Sequence, residues 1–334
     1  MSISSRLSEV LRSATEIPFD DVSRIIIFSD LHRGDNSRAD DFAQNKPLFV
    51  HALNHYLREG FTYIELGDGD ELTENSNFDD ILRAHKEVFL VMREFHQRGR
   101  LHLIFGNHDI IRKLPNEVRK TLFRFVDSIT NKQEQLFEGI LIHEGIRLRY
   151  TTGDALFLVH GHQGDLLNDR LWWLGKFFVS TFWRYLQLLG VKDPTSAAQN
   201  THKGDKVEAE IEAWVIANQQ PLIMGHTHRP YFPEPGTPPF FNDGSGVAPH
   251  EITGIEIDGG DIALIKWNVE HDADGVMVAQ RSVLAGPRRV RDVFLDLTGL
   301  ENPDPTRFNP TQSILERIIL KFDKQLSVGF SSSL

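Results

Sequence analysis

Arg24-Ile25-Ile26-Ile27-Phe28-Ser29-Asp30-Leu31-His32 is the stretch on which the fold turns. Its first part is a short, apolar, β-branched run, the pattern of a strand buried on both faces. Asp30 and His32 follow at once, at the strand's carboxyl end, where open α/β sheets place their sites. Alone, these two residues make an ordinary polar turn. The same arrangement then recurs. Residues 61–66 read as a strand with Asp68 just beyond it, and 101–105 as a third with Asn107 and His108 beyond it. Residues 155–159 end at His160, and 221–224 run into Gly225-His226-Thr227-His228.

Between these strands lie helical patterns. Leu48, Phe49, Ala52, Leu53, Tyr56 and Leu57 have helical spacing, with Gly60 as the stop. A single long helix is predicted over 79–97, ended by Gly99, and others over 115–125 and 208–218. Residues 140–150 read as one strand. Strand-then-ligand units with helical crossovers argue for a parallel α/β core. Asp30, Asp68, Asn107, His160 and His226 stand 38, 39, 53 and 66 residues apart, one βα unit or slightly more. Strand ends in one sheet point the same way, so loops distant in sequence converge. After the last of them come short strands at 240–244, 252–257, 261–267 and 276–283, and Gly259-Gly260 is a hairpin signal. Leu7, Val10 and Leu11 mark a short amphipathic helix near the start, and nothing in 1–21 has the form of a signal peptide.

The chain has 334 residues, enough for one large domain with insertions. Its net charge is −11, which disfavours general nucleic-acid binding. It contains no cysteine, which removes disulfides, thiolate metal sites and cysteine nucleophiles and fits a cytoplasmic location. The five fragments supply carboxylates, imidazoles and one amide, ligands suited to Mn, Fe or Zn.

The ordered set D-x-H, G-D, G-N-H-D, H and G-H-T-H resembles the calcineurin-like metallophosphoesterases over roughly residues 24–270. The resemblance implies an α/β fold, a four-layer αββα sandwich of mixed sheets flanked by helices. It implies two divalent metal ions, Mn first, with Fe and Zn as alternatives. Asp30, His32 and His228 would hold one ion, Asn107, His160 and His226 the other, and Asp68 would bridge. Such a pair, about 3.5–4 Å apart, polarises phosphoryl oxygens and supplies a bridging hydroxide for in-line attack. The resemblance also makes His108 the proton donor to the leaving group of a phosphate mono- or diester. Its orienting acid would be Glu71, where relatives more often carry aspartate; Asp70 and Asp109 are alternative partners.

His162 is open between a ligand, a substrate contact and a hydrogen-bonding neighbour. Arg229 is open between substrate and a rim salt bridge. His51 and His55, four apart on a helix, read as a solvated face. Residues 171–190 hold seven aromatics, among them Trp172, Trp173 and Trp183, and only Lys176 and Arg184 are charged. A membrane span there would put His160 and His226 on opposite sides of a bilayer, and each central cation would cost ~2.5–3.5 kcal/mol. The segment reads instead as a helix packed on the core, or as a cap that meets an apolar substrate or a membrane surface. The second reading is similar to the UDP-2,3-diacylglucosamine pyrophosphohydrolases, a lipid-linked alternative that would place the protein at the inner membrane. Those enzymes generally carry arginine where this chain has His108. A non-catalytic scaffold is the third reading. The expected layout is a metallophosphoesterase domain over 22–285, a helical insertion over 163–205 within it, and an extension over 286–334 with an amphipathic helix at 314–326. Oligomeric state is left open.

Overall fold

A computed structural model describes residues 2–127, 129–163, 201–271, 275–298 and 300, with only the backbone of 201–206. The chain opens with helix α1 (Ile3–Ser13), whose first turn is capped by Ser2, and strand β1 (Thr15–Phe19). Then come β2 (Ile25–Phe28), α2 (Lys46–Arg58), β3 (Thr62–Leu66), α3 (Phe78–Ala84), α4 (Lys86–Gln97) and β4 (Leu101–Ile104). A 3₁₀ turn (Ile110–Lys113), α5 (Pro115–Leu122), β5 (Arg124–Val126), β6 (Gln133–Gln135), β7 (Ile142–His143), β8 (Gly145–Tyr150) and β9 (Ala155–Val159) follow. The remainder is α6 (Thr201–Asn218), β10 (Leu222–Met224), β11 (Phe240–Asn242), β12 (Glu251–Asp258), β13 (Asp261–His271), β14 (Met277–Arg289) and α7 (Val290–Leu295).

Two mixed sheets face each other. One has the order β14-β13-β12-β2-β3-β4-β7, the other β1-β8-β9-β10-β11. Strands β2, β3, β4 and β7 are parallel neighbours, and β9, β10 and β11 form a second parallel group. Strand β2 shows why its apolar run is unbroken. Ile26 and Phe28 pack against Phe49 and Leu53 of α2 in one core layer. Ile25 and Ile27 point the other way, into the layer between the sheets with Ile146, Leu158 and Ile223. A third layer sets Phe157, Val159 and Leu222 of the second sheet against Leu7 and Val10 of α1 and Trp214 of α6. Three apolar layers between four layers of structure make the αββα sandwich expected for this fold class. Among the described residues no helix is long and apolar enough to cross a membrane.

Several local expectations are corrected. The single helix over 79–97 is two, broken at His85, whose backbone leaves helical values at φ −121° and ψ 29°. The break turns the fully buried His85 ring to Asp40, with Nε2 2.7 Å from Oδ2. The helix over 115–125 stops at Leu122, because Arg124–Val126 pairs antiparallel with Gln133–Gln135. The strand over 140–150 divides at Glu144. Its first part extends one sheet beside β4, and its second crosses to pair with β1 and β9 in the other. The seven ligand candidates therefore do not share one sheet. Asp30, His32, Asp68 and Asn107 follow strands of the seven-stranded sheet; His160, His226 and His228 follow strands of the five-stranded sheet. Strand β1, the β5–β6 hairpin and α7 were not anticipated. Gly259 and Gly260, both at positive φ, make the two-residue hairpin between Asp258 and Asp261. The aromatic segment 171–190 and the helix at 314–326 lie outside the described residues.

Candidate active site

The loops after β2 and β3 continue the sheet's ladder beyond the strands. Asp30 N–H donates to Gly67 O, His32 N–H to Asp68 O, and Arg33 N–H to Gly69 O. The loop after β4 is tied to the same ladder. Asp109 accepts from Gly106 N–H at 2.6 Å and from Gly69 N–H at 3.2 Å, and His108 N–H donates to Asp68 Oδ1 at 2.7 Å. Gly225 N–H to His160 O at 3.1 Å extends the β9–β10 ladder of the second sheet, and His226 N–H to Asp30 Oδ2 at 2.8 Å ties that sheet to the first. Two glycines are required by close approach. A Cβ on Gly106 would lie 2.1 Å from Asp68 Oδ1, and one on Gly225 2.1 Å from Ser29 Oγ.

Asp30, His32, Asp68, His226 and His228 all adopt positive φ, between 49° and 67°. For a non-glycine residue this costs on the order of 1–3 kcal/mol. A fully buried isoleucine contributes roughly 1.5–3 kcal/mol, so one core residue of the preceding strand offsets one strained side chain. The strain aims each side chain inward from the end of its strand.

The result is three contiguous groups: Asp30, His32 and His228; Asp68, His160 and His226; and His32, Glu71 and His108, each with its potential ligand atoms within 4.8 Å of one another. In the first, His32 Nε2 and His228 Nε2 face each other at 3.3 Å, and His228 Nε2 is 3.1 Å from Asp30 Oδ1. In the second, His160 Nε2 lies 3.1 Å from Asp68 Oδ2, while its Nδ1–H donates to Leu66 O at 2.9 Å. That backbone bond fixes the ring and leaves Nε2 for a cation. Asp68 Oδ2 is also 3.9 Å from His32 Nε2, so one carboxylate oxygen stands between the two groups. Among the described residues the buried Asn107 Oδ1 has no hydrogen-bond partner.

Electrostatics agree with a site built for cations. Desolvation pushes the His160 ring down, but Asp68 and then Asp30 outweigh it and raise its pKa to about 9. The same carboxylate field stabilises any positive charge placed there. Burial, and next His160, push His226 down to about 3, so its lone pair is available at neutral pH. Oxygen and imidazole donors facing one another with no thiolate fit a pair of Mn, Fe or Zn ions.

The third group holds the two acid–base candidates, His108 and Glu71. His108 Nδ1 is 2.6 Å from Glu71 Oε2, and His32 Nδ1 is 3.0 Å from the same oxygen. Desolvation lowers the His108 pKa, but Glu71 and Asp68 raise it, to about 9. Burial raises the Glu71 pKa, yet His108 and His32 hold it below the ordinary carboxylate value. The alternative partners are committed elsewhere. Asp70 pairs with Arg33 at 2.7 Å and with Arg112, in a fully buried network that also joins Arg33 to Glu65. Asp109 is taken by backbone N–H groups.

His162 is buried beside His160, ring centroids 5.5 Å apart; among the described residues neither of its nitrogens has a hydrogen-bond partner, and it belongs to none of the three groups. Arg229 is half-buried directly after His228. His51 and His55 pack edge-on against Trp267. Two contributors escaped the sequence reading. Thr73 Oγ1 hydrogen-bonds Glu71 and lies 3.2 Å from His108 Nδ1. Asp243 meets Ser29 behind Asp30. Asp243 directly follows β11, which ends at Asn242, whereas the strand read over 240–244 places it inside the run.

Among solved structures the chain is similar to Chaetomium thermophilum Vps29, at 11% identity and a TM-score of 0.32, over 78% of this chain and 96% of that one. It is also similar to Thermus thermophilus SoxB, titled a sulfate thiohydrolase in complex with glycerol, at 14% identity and a TM-score of 0.29, over 88% of this chain and 62% of that one. No curated protein matches. The family model described as calcineurin-like phosphoesterase matches residues 23–230, a span that begins before β2 and ends just past the last histidine of the site; the chain belongs to that family.

Proposed function

We propose that the protein is a binuclear metal-dependent phosphoesterase that hydrolyses a phosphate mono- or diester. The observation that carries this reading is the position of Asp68 Oδ2, 3.1 Å from His160 in one ligand group and 3.9 Å from His32 in the other. Asp30, His32 and His228 would hold the first ion, and Asn107, His160 and His226 the second, with Asp68 shared. Bound ions of this kind polarise phosphoryl oxygens and lower the pKa of a coordinated water.

The chain's own residues supply the rest. His108, protonated at neutral pH, gives its Nδ1–H to Glu71 and keeps its Nε2 proton for the departing oxygen. Glu71 orients that ring and the ring of His32 with one oxygen. Thr73 holds the other Glu71 oxygen and limits the carboxylate's rotation. The neutral amide of Asn107 keeps the ligand set from becoming too negative for a phosphate. Mn is the ion to load first.

The test is a panel of p-nitrophenyl phosphate, bis-p-nitrophenyl phosphate, nucleotides and a lipid pyrophosphate against Mn-loaded protein. Turnover of a simple ester that is lost on chelation and restored by Mn supports the proposal. Turnover of the lipid pyrophosphate alone would replace it with the lipid-linked reading. No turnover of any ester by protein shown to hold its metals would replace it with a scaffold.

A further inference from the structure

Behind the first ligand group lies a buried acid that the mechanism above does not use. Asp243 follows β11, is fully buried, and donates its backbone N–H to Met224 O at 2.9 Å. Ser29, 1% exposed, stands between it and Asp30. Ser29 Oγ is 2.5 Å from Asp30 Oδ2 and 2.7 Å from Asp243 Oδ1. A hydroxyl has one proton to give. Were both carboxyls ionised, one of these two contacts would set lone pair against lone pair.

The remaining contacts decide where the missing proton sits. Asp30 Oδ2 also accepts His226 N–H at 2.8 Å, and Asp30 Oδ1 faces His228 Nε2 at 3.1 Å. Asp30 is thus the carboxylate with partners on both of its oxygens. Among the described residues Asp243 Oδ2 has no hydrogen-bond partner and no basic side chain forms an ion pair with Asp243. An ionised carboxylate with a bare buried oxygen is strongly disfavoured. Burial, and next the Asp30 charge, push the Asp243 carboxyl well above the ordinary carboxylate range.

We propose that Asp243 is a neutral carboxylic acid whose proton goes to Ser29, and that this pair positions Asp30 for its metal ion from behind. The chain of donors runs Asp243 Oδ1–H to Ser29 Oγ, then Ser29 Oγ–H to Asp30 Oδ2. With His226 N–H it gives Asp30 Oδ2 two donors and leaves Oδ1 directed at the cluster. Gly225 closes the same side, since a Cβ there would lie 2.4 Å from Asp30 Oδ2. A neutral acid orients the ligand without adding negative charge to a site that receives a phosphate. Asp243 is therefore a positioning residue, and the assignment rests on Asp30 being a metal ligand.

Two measurements test it on the full-length protein. Infrared difference spectra between wild type and Asp243→Asn at neutral pH should show a protonated-carboxyl C=O stretch that the variant lacks. Absence of that band from the wild type overturns the proton assignment. Mn²⁺ titration by calorimetry reads the positioning role. Asp243→Asn, whose amide can still donate to Ser29, should bind Mn²⁺ like the wild type. Ser29→Ala and Asp243→Ala should weaken the looser of the two sites by about 10–100-fold, the usual effect of losing an outer partner of a ligand. If Asp243→Asn loses as much as Asp243→Ala, a negative charge is needed there and the proposal is wrong. Wild-type affinity in both alanine variants also sinks it. Should Asp243→Ala not fold, Ser29→Ala carries the same comparison. A wild-type protein that shows the infrared band but binds no Mn²⁺ refutes the metal reading of Asp30 and leaves the proton assignment standing.

Discussion

The two ligand groups that meet at Asp68 are made of the same side-chain types, yet they differ in access to solvent. In the group of Asp68, His160 and His226 the side chains of Asp68 and His160 are 2% and 0% exposed. In the group of Asp30, His32 and His228 the two imidazoles keep 12% and 21% of their surface. The proposed acid–base residues lie on that open side. His108, 30% exposed, packs edge-on against His32 with ring centroids 4.5 Å apart. The difference divides the labour that a symmetric drawing of two ions would conceal. On the proposed function, the closed group would anchor one ion, and the open group would be where a substrate oxygen and a proton donor reach the other.

The most severe way to break this comparison is Asp68→Asn, since that carboxylate serves both sides. Both ions should be lost and turnover should fall to background, measured by elemental analysis and ester hydrolysis. Two full equivalents of metal in the variant would show that the groups do not depend on a shared ligand. Next is His108→Ala, which touches only the open side. Turnover should drop by ~10²–10⁴, the range for removing a general acid, while metal content stays at the wild-type value. A parallel loss of metal would mean that His108 is structural.

A smaller effect, but one with a direction, is expected from Glu71→Gln. The Glu71 carboxylate is the chief group raising the His108 pKa, which stands at about 9. A general acid works in its protonated form, so the wild-type rate should fall as pH rises through that pKa. Without the carboxylate the falling limb should begin at lower pH, and the rate below it should change little. A pH–rate profile whose alkaline limb does not move would dissociate Glu71 from His108. The mildest perturbation is a chelator. The ion on the open side should leave first, in a resolved fast phase of metal release, with activity lost in that phase. Release of both ions in one phase would erase the distinction between the groups.

Much of this geometry is legible in the chain before folding. Strand β2 announces itself because a strand covered on both faces must be apolar at every position, and Ile25 to Phe28 are. Residues at strand ends must point past the sheet edge, which makes Asp30, Asp68 and Asn107 candidates by position. Other features are invisible locally. His85 interrupts a helix whose own periodicity runs on without a break, because the reason lies in Asp40, 45 positions away. The choice of Glu71 over Asp70 and Asp109 is of the same kind. All three are acids on neighbouring loops, and only their tertiary partners, Arg33 and Arg112 for one and backbone N–H groups for the other, remove two of them from contention.

What the amino-acid order determined unaided is a set of short-range events: which runs extend, which coil, and which polar residues stand immediately after a strand. Those depend on side-chain volume, branching and solvation over a few positions, and such forces act within a turn or a strand. Only the tertiary structure decided that His160, His226 and His228 come from a second sheet, to which the chain returns at Glu144 and Gly145, and that Ser29 and Asp243 stand behind Asp30. Sheet membership and buried hydrogen bonds are settled by partners from 45 positions away, as for His85 and Asp40, to 214, as for Ser29 and Asp243, and no local pattern encodes which partner will arrive.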